Sequence, residues 1–508
     1  MHAAVSSRFA SLAVVLATAC GSSAEEPEPV PTDLPTVLPF ELLRPADGKP
    51  PTGDEISAFT KKMTGLWKAT GYFRWLAWNA HGLDASYDPD MPAFALYWQD
   101  VAASKSGDTV TFTHTGGSDN LEIRTSKVLA QAASGYLASG DPVMRELLIG
   151  YTKGMVALFQ GMLWGGEDPP LETVMARSVL THDHEYETGD GRKIGVAYGP
   201  AKVEQIDWNA HTVPNPDNPY FGSIWVRNMR SKDDVPHIYR VIPILMRVAQ
   251  DADDEEVKAA AQAAVDHVHG FAADIVDSGY QIRTKEAGEV FVPPDQDLAS
   301  FVKYDAVAPL GECNAKLTSA LIGKGDAQGN DCGPGLGPIY EDLATAINYY
   351  NYQIVRYFHL AAITNALVRR NDAAARVLLD GLVERVDTMM SDEAHRLKHA
   401  EWDGDAAPTL LAAAASGLPL TGTEARFVQD VYARSADHYA AWSGWDPWDA
   451  SVPDGAYEWQ PPRSDAAGVF YVEPEEIAFL VEYCQSAWKN PAGVELVDCG
   501  VVLDPSRW

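Results

Sequence analysis

Apolar residues spaced three and four apart recur along this chain in long stretches that come in pairs, and that spacing limits its fold more than any other feature. It gathers apolar side chains into a stripe along one side of a helix, and such a stripe has to be buried against a neighbour. The clearest pair is Asn120 to Gly140 with Asp141 to Trp164. The breaker S-G-D-P separates them and sets Pro142 at a first helical position, where its missing N–H costs nothing. Order is expected from Asp54, with Ile56, Phe59, Met63, Leu66 and Trp67 at helical spacing and an aromatic end at Trp75, Trp78 and His81. Further helices are expected over Pro170 to Leu180, from Ser231, over Asp253 to Ser278, Pro338 to Arg370, Asp372 to Met390, Ala406 to Ala415, Gly422 to Trp442 and Glu473 to Trp488. In the helix from Ser231, Pro236 fits the first turn, whereas Pro243 should kink the helix or end it early. Between 181 and 200 the texture changes to polar-apolar alternation around T-G-D-G-R, which predicts a β-hairpin. Residues 279–335 read as mostly irregular, with Y-Q-I-R and E-V-F-V-P-P as strand-like fragments.

The helices total roughly eleven or twelve, mostly as hairpins of uneven length, with no fixed-period array signature. Hairpins with long loops at alternate junctions predict an all-α chain folded as a closed (α/α) toroid or barrel, with long loops and the small β-hairpin on one face. An open helical solenoid and two packed domains are the alternatives. The expected division is residues 1–20 as a signal peptide, 21–53 as a tether and 54–508 as a single large helical domain.

Candidate chemistry concentrates between Glu204 and Leu245, which reads as one loop running into a helix. It holds Asp207, Trp208, Asn209, His211, Tyr220, Trp225, Arg227, Arg230, Asp233 and His237. His211 has the side-chain type suited to proton transfer near neutrality, and Asp207 could orient it or act as acid or base itself. Arg227 and Arg230, three apart, share one side of a helical turn and could grip a carboxylate or sugar hydroxyl; ion pairing with nearby acids is the plainer role. A second concentration is I-N-Y-Y-N-Y-Q-I-V-R-Y-F-H-L, where Asn348, Tyr349, Tyr352, Arg356 and His359 cover more of a helix than a simple amphipathic pattern allows. Were that helix to line a cavity, Tyr352 or Tyr349 could donate a proton and Asn348 could bind a developing oxyanion. Trp208, Trp225 and Trp445 supply flat apolar faces of the kind that stack on sugar rings.

The Asn- and Tyr-lined helix, a separate loop His and the Arg-containing S-K-D helix entrance resemble the α/α toroid polysaccharide lyases and related glycoside hydrolases, over about residues 181–370. In the lyase version the resemblance implies Asn348 as neutraliser of a uronic carboxylate and His211 with Tyr349 or Tyr352 as base and acid. The hydrolase version implies two carboxylates, with Asp207 and either Asp233 or Glu341 as candidates. Trp208, Trp225, Arg227, Arg230, Arg356 and Trp445 become the substrate-binding set, and no cofactor is implied.

The H-D-H-E run places His182 and His184 on one side of a strand, but no third ligand accompanies them, so no metal site is expected. The ends of the chain speak to location. An apolar run behind Arg8 closes on L-A-T-A-C, the layout of a bacterial lipobox with Cys20 as the lipidated residue, and a Ser-, Pro- and Glu-rich tether follows. The remaining cysteines fit two local disulfides, Cys313 with Cys332 and Cys484 with Cys499. Asp and Glu outnumber Lys and Arg by 71 to 39, and a net charge of -32 disfavours nucleic acid or anionic membrane as a partner. The expectation is a carbohydrate-active enzyme of a bacterial cell envelope, outer-membrane-anchored or secreted, cleaving a poly- or oligosaccharide and touching membrane only through its lipid. The alternative is a non-catalytic helical lipoprotein that binds glycan or partner proteins.

Overall fold

The computed structural model describes residues 49–63, 96, 100–116, 121–165, 172–180, 184–187, 193–198, 212–228, 234–278, 282–292, 420–440, 450–458, 472, 474–485 and 495–504, and five positions between 407 and 414. Helix α1 spans 53–63. The antiparallel strands β1 (Asp100–Ser106) and β2 (Thr109–Gly116) follow, then helices α2 (Leu121–Ser139) and α3 (Pro142–Gln160). Strands β3 (Ser178–Leu180), β4 (His184–Glu187), β5 (Lys193–Tyr198), β6 (Thr212–Asn218) and β7 (Gly222–Arg227) lead to helices α4 (Asp234–Asp251) and α5 (Glu255–Asp277). The hairpin β8 (Thr284–Glu286) and β9 (Glu289–Phe291) comes next. Helix α6 (Gly422–Ala440), strand β10 (Gly455–Glu458), a 3-10 turn (Pro474–Ile477), α7 (Ala478–Gln485) and the short α8 (Cys499–Val502) complete the described chain.

The expected pairing of α2 with α3 is present. Asp141 caps α3 by accepting the Met144 N–H at 3.2 Å, and Gly140 closes α2 with φ +64. The second hairpin, α4 with α5, lies beside the first, so that α2 packs on α4 and α3 packs on α5. Helix α2 also packs against α7, which gives it neighbours on several sides, and Leu121, Val128, Leu129 and Ala133 along it are fully buried. Helix α4 runs past Pro243 to Asp251, so it does not stop early there. Val241, Leu245 and Val248 are all fully buried between α2 and α5, and that packing outweighs the hydrogen bond that one proline removes.

More of the chain is strand than the one hairpin and two strand-like fragments expected, of which E-V-F forms β9. The expected hairpin exists: β4 pairs antiparallel with β5, with Glu187 opposite Lys193 across the T-G-D-G-R segment. It belongs to a five-stranded sheet ordered β10-β1-β2-β5-β4, in which β2 and β5 run parallel. The second sheet is β3-β7-β6 and the third is the hairpin β8-β9. Residues 172–180, expected as part of a helix, form none and end in β3, whose pairing with β7 from Ser178↔Arg227 to Leu180↔Trp225 overrides local helix propensity. The helices expected over Pro338 to Arg370 and Asp372 to Met390, on which the toroid expectation depends, lie outside the described residues.

The two ends of the described chain meet. Thr52 and Glu55 form a capping box on α1, with the Glu55 N–H donating to the Thr52 hydroxyl at 3.3 Å and the Thr52 N–H to the Glu55 carboxylate at 2.7 Å. Thr421 and Glu424 repeat the motif on α6. Arg426 of α6 forks onto Glu55 at 3.0 and 3.1 Å and donates to the Lys49 and Pro50 carbonyls. Cys484 and Cys499 form the expected disulfide, with Cα atoms 5.3 Å apart and a separation of 15 residues, which stabilises by about 3 kcal/mol in the chain-entropy model. The loop it closes also carries the Leu496 carbonyl, which accepts from Gln429 at 2.7 Å, and the Asp498 N–H, which donates to Thr60 at 2.9 Å. Cys313, Cys332 and Cys20 lie outside the described residues. Among the described residues no helix is long and apolar enough to cross a membrane.

The second sheet is fastened to the end of α3. A helix leaves its last carbonyls without intrahelical donors. Asn215 donates through Nδ2 to the Gly161 and Leu163 carbonyls at 3.0 and 2.8 Å, and Asn218 donates to those of Gln160 and Leu163 at 2.8 and 2.9 Å. The approach is close enough that a Cβ on Gly161 would lie 2.5 Å from Val179 Cγ2 in β3.

Two outcomes follow for stability. Asn215→Ala removes two buried donors and should cost about 1–3 kcal/mol, read as a lowered midpoint in chemical denaturation with an unchanged slope. Arg426 first, then the Thr52 N–H and hydroxyl, hold the Glu55 carboxyl down from 4.5 to about 2. A depressed folded-state value contributes stability that is complete above 4.5 and lost as pH falls toward about 2. The Tm of the wild type should therefore drop across that window more steeply than that of Glu55→Gln, and added salt should shrink the difference because the pair is exposed.

Candidate functional site

The segment from Thr212 to Arg227 is a β-hairpin rather than a plain loop. Its turn is built by Asn218, whose Oδ1 accepts the N–H groups of Tyr220 and Phe221 at 2.9 and 2.8 Å, and by Gly222 at φ +66. Alternation then sorts the strands. Val213, Asn215, Ile224 and Val226 point into the core, while Pro214, Ser223 and Trp225 point outward. Trp225 is 39% exposed, one of few large hydrophobic side chains on the described surface, and it stands opposite Pro214.

Two residues further along the same face, about 7 Å away by strand geometry, comes Arg227. It is 1% exposed, in register with Thr212 on one side and Ser178 on the other, both buried as well. Burial alone pushes the Arg227 guanidinium below the ordinary arginine value; an arginine starts so high that it keeps its charge. One face of one strand thus offers an open indole and, a step away, a buried cation.

A polar seam continues from Arg227. The Arg227 carbonyl accepts the Arg177 N–H at 2.7 Å. Asn228 donates to the Lys285 carbonyl at 3.0 Å, and the Thr284 hydroxyl donates to the Asn228 carbonyl, which fastens β8 to the end of β7. Lys285 meets Glu172 Oε2 at 3.0 Å, with both side chains almost completely buried. The other Glu172 oxygen accepts the N–H groups of Thr173 and Val174 at 2.9 and 2.8 Å. The Glu172 carbonyl accepts from His267 Nδ1 at 3.0 Å, which makes Nδ1 the protonated nitrogen of that ring. His267 stacks on Phe159 with centroids 4.9 Å apart, and burial pushes its pKa down, so it stays neutral. Asp274 accepts from Arg283 and holds that guanidinium above its ordinary value. Glu172 therefore joins α5, β8 and the extended segment that enters β3.

Of the residues singled out in the sequence, Trp225 and Arg227 are brought together on this face. His237 is buried in α4, and Tyr220 sits half-buried in the turn beside Phe221. Asp207, Trp208, Asn209, His211, Arg230, Asp233, Glu341, Asn348, Tyr349, Tyr352, Arg356, His359 and Trp445 lie outside the described residues, as does His182. His184 opens β4 opposite Val196. Among the described residues no group of three or more His, Cys, Asp or Glu is placed to hold a metal ion. Glu172, Asn228 and Lys285 were not marked by the sequence: single polar residues in V-R-N and T-K-E carry no periodic or motif signal. An exposed indole on a rigid strand can stack on the flat apolar face of a ligand ring, and the seam behind it supplies rigidity rather than reactive groups.

A scan against family models finds no match, and searches of curated proteins and of solved structures find none either.

Breaking the buried pair tests the seam. Glu172→Gln keeps an acceptor for Thr173 and Val174 but removes the charge opposite Lys285, and should destabilise by on the order of 3 kcal/mol. Hydrogen exchange should then rise first in β8-β9 and β3 rather than in α2. Uniform loosening across all helices would contradict a hub role.

Proposed function

We propose that this protein is an exported carbohydrate-active enzyme, lipid-anchored through Cys20, that cleaves a poly- or oligosaccharide as a lyase or hydrolase. The observation that carries the reading is Trp225, an indole exposed on the outer face of β3-β7-β6, one strand step from the buried Arg227. Indole faces suit the C–H surfaces of sugar rings, and a rigid strand holds this one open to solvent. In this reading Trp208, Arg230, Arg356 and Trp445 complete the binding set around Trp225 and Arg227. His211 and Tyr349 or Tyr352 transfer protons, Asn348 steadies developing charge, and Asp207 orients His211 or acts as an acid or base. His211 directly precedes Thr212, the residue in register with Arg227, so the sequence connects the proton-transfer candidate to the binding face through a single peptide bond. The helical hairpins close into an (α/α) toroid with this sheet at its mouth. No cofactor takes part, the partner is the glycan, and the lipid is the sole contact with the bacterial cell envelope.

Activity and binding separate the enzyme from a glycan-binding lipoprotein. Turnover screened on neutral and uronic polysaccharides should fall at least about a hundredfold in His211→Ala and Tyr352→Phe, the usual contribution of a proton-transfer group. Trp225→Ala should weaken binding first. Binding without turnover in the wild type would leave the non-catalytic lipoprotein, and turnover unaltered in all three variants would remove the site.

A further inference from the structure

Trp225 is not the only aromatic side chain left in water beside the polar seam. Phe291 of β9 is 37% exposed, in line with its neighbours Val290 and Val292. Its position relative to Trp225 is fixed by pairing. Phe291 is directly opposite Thr284 in the β8-β9 hairpin, so the two side chains share one face of it. Thr284 uses that face to donate to the Asn228 carbonyl, immediately after β7. Phe291 therefore stands on the side of the hairpin that abuts the end of β7, with Arg227 and Asn228 between it and Trp225.

The spacing follows from the same contacts. Trp225 and Asn228 are three strand residues apart, about 10 Å, and Thr284 and Phe291 are about 5 Å apart across their pair. Two platforms at that separation span several consecutive sugar rings and are too far apart for one. Both are mounted on backbone that cannot easily shift: Ser178, Arg227, Asn228 and Thr284 between them are buried, and the Glu172–Lys285 pair holds the hairpin from below.

Charge selects the kind of chain. Among the described residues the exposed carboxylates along this line are Asp217 at the turn end of β6 and Glu289 at the tip of β9, with the part-exposed Glu286 opposite Glu289, while the cations Arg227 and Lys285 are buried and the part-exposed Arg283 is paired with Asp274. Carboxylates accept hydrogen bonds from sugar hydroxyls and repel a uronate, and the net charge of -32 adds to that repulsion. We infer that Trp225 and Phe291 are two ring platforms of one elongated site for a neutral, linear oligosaccharide several units long. The inference rests on the glycan-binding reading above and narrows it to substrate length and charge.

The test is calorimetric binding to the full chain of neutral gluco-oligosaccharides from two to eight units, with an oligouronate of matched length beside them. Measurements use the wild type, Trp225→Ala, Phe291→Ala and the double variant, with circular dichroism and Tm confirming that each is folded. Affinity for neutral oligosaccharides should rise with length until both platforms are spanned, and each single variant should lose about tenfold on the long chains. Phe291→Ala should leave the shortest chains unaffected, and the oligouronate should bind more weakly than its neutral counterpart. If Trp225→Ala lowers affinity while Phe291→Ala binds every length like the wild type, the two-platform site is wrong and the glycan reading stands. If no saccharide binds the wild type, both readings fall. If the uronate binds tighter, the charge assignment is overturned. A change in oligomeric state in Phe291→Ala with saccharide affinity intact would make β9 an edge for a second copy of the chain and would also overturn the proposal.

Discussion

The end of α3 decides where the second sheet can lie. Helix termination leaves carbonyls facing outward with no helical donor, and here the last turn is covered by protein, so donors have to come from elsewhere. Asn215 and Asn218 of β6 supply them, each bridging two carbonyls. The register of β6 is thereby set against the helix as well as against β7, and a one-residue slip would both empty the four hydrogen bonds and turn Trp225's neighbours to the wrong face. Gly161 and Gly165 permit the contact, since a Cβ at either would run into Val179 or Asp217. The outward direction of Trp225 is the far consequence of how a helix fifty residues earlier stops.

Charge is deployed with the same economy. Asp and Glu are in large surplus over the whole chain, and several cations meet specific carboxylates. Lys285 is held by Glu172, Arg283 by Asp274, and Arg145 lies between Asp254 and Glu256 at 2.8 Å from each, which depresses both carboxyls. The Arg145 cluster ties the start of α3 to the start of α5, while Glu172 ties the far half of α5 to β8. The α3-α5 contact is thus pinned by charge at its Arg145 end, and toward the other end Phe159 of α3 stacks on His267 and meets Phe271 edge-on.

The helical hairpins were legible because their signal is local and repeated: apolar spacing, an Asp cap, a glycine at φ +64 and a proline at a first turn all lie within the segment they define. The β4-β5 hairpin and the Cys484–Cys499 bridge were legible for the same reason. Strand β6 was hidden by Pro214 and Pro216, which argue against a strand until it is known to be an edge with an irregular register between Asn215 and Asn218. Strand β3 was hidden because its apolar run fits a helix equally well and only a distant partner, β7, decides. The β1-β2 hairpin had a local signal in S-G-D-T that went unread, with Gly107 at φ +57, although its third strand, β10, comes from 350 residues later and could not be inferred. At the candidate site, Trp225 and Arg227 were marked by type, whereas their relation depends on alternation along a strand that the prolines disguised.

That relation separates two duties which a ligand site often combines. The groups that fix geometry, Glu172, Asn228, Thr284 and Lys285, are buried or nearly so and bond one another or nearby backbone. The groups that meet solvent, Trp225 and Phe291, carry no proton to transfer and no charge. A surface of this kind can hold a ring in place but cannot by itself break a bond. Bond breaking needs a proton-transfer group or nucleophile, which the described residues of this face do not supply.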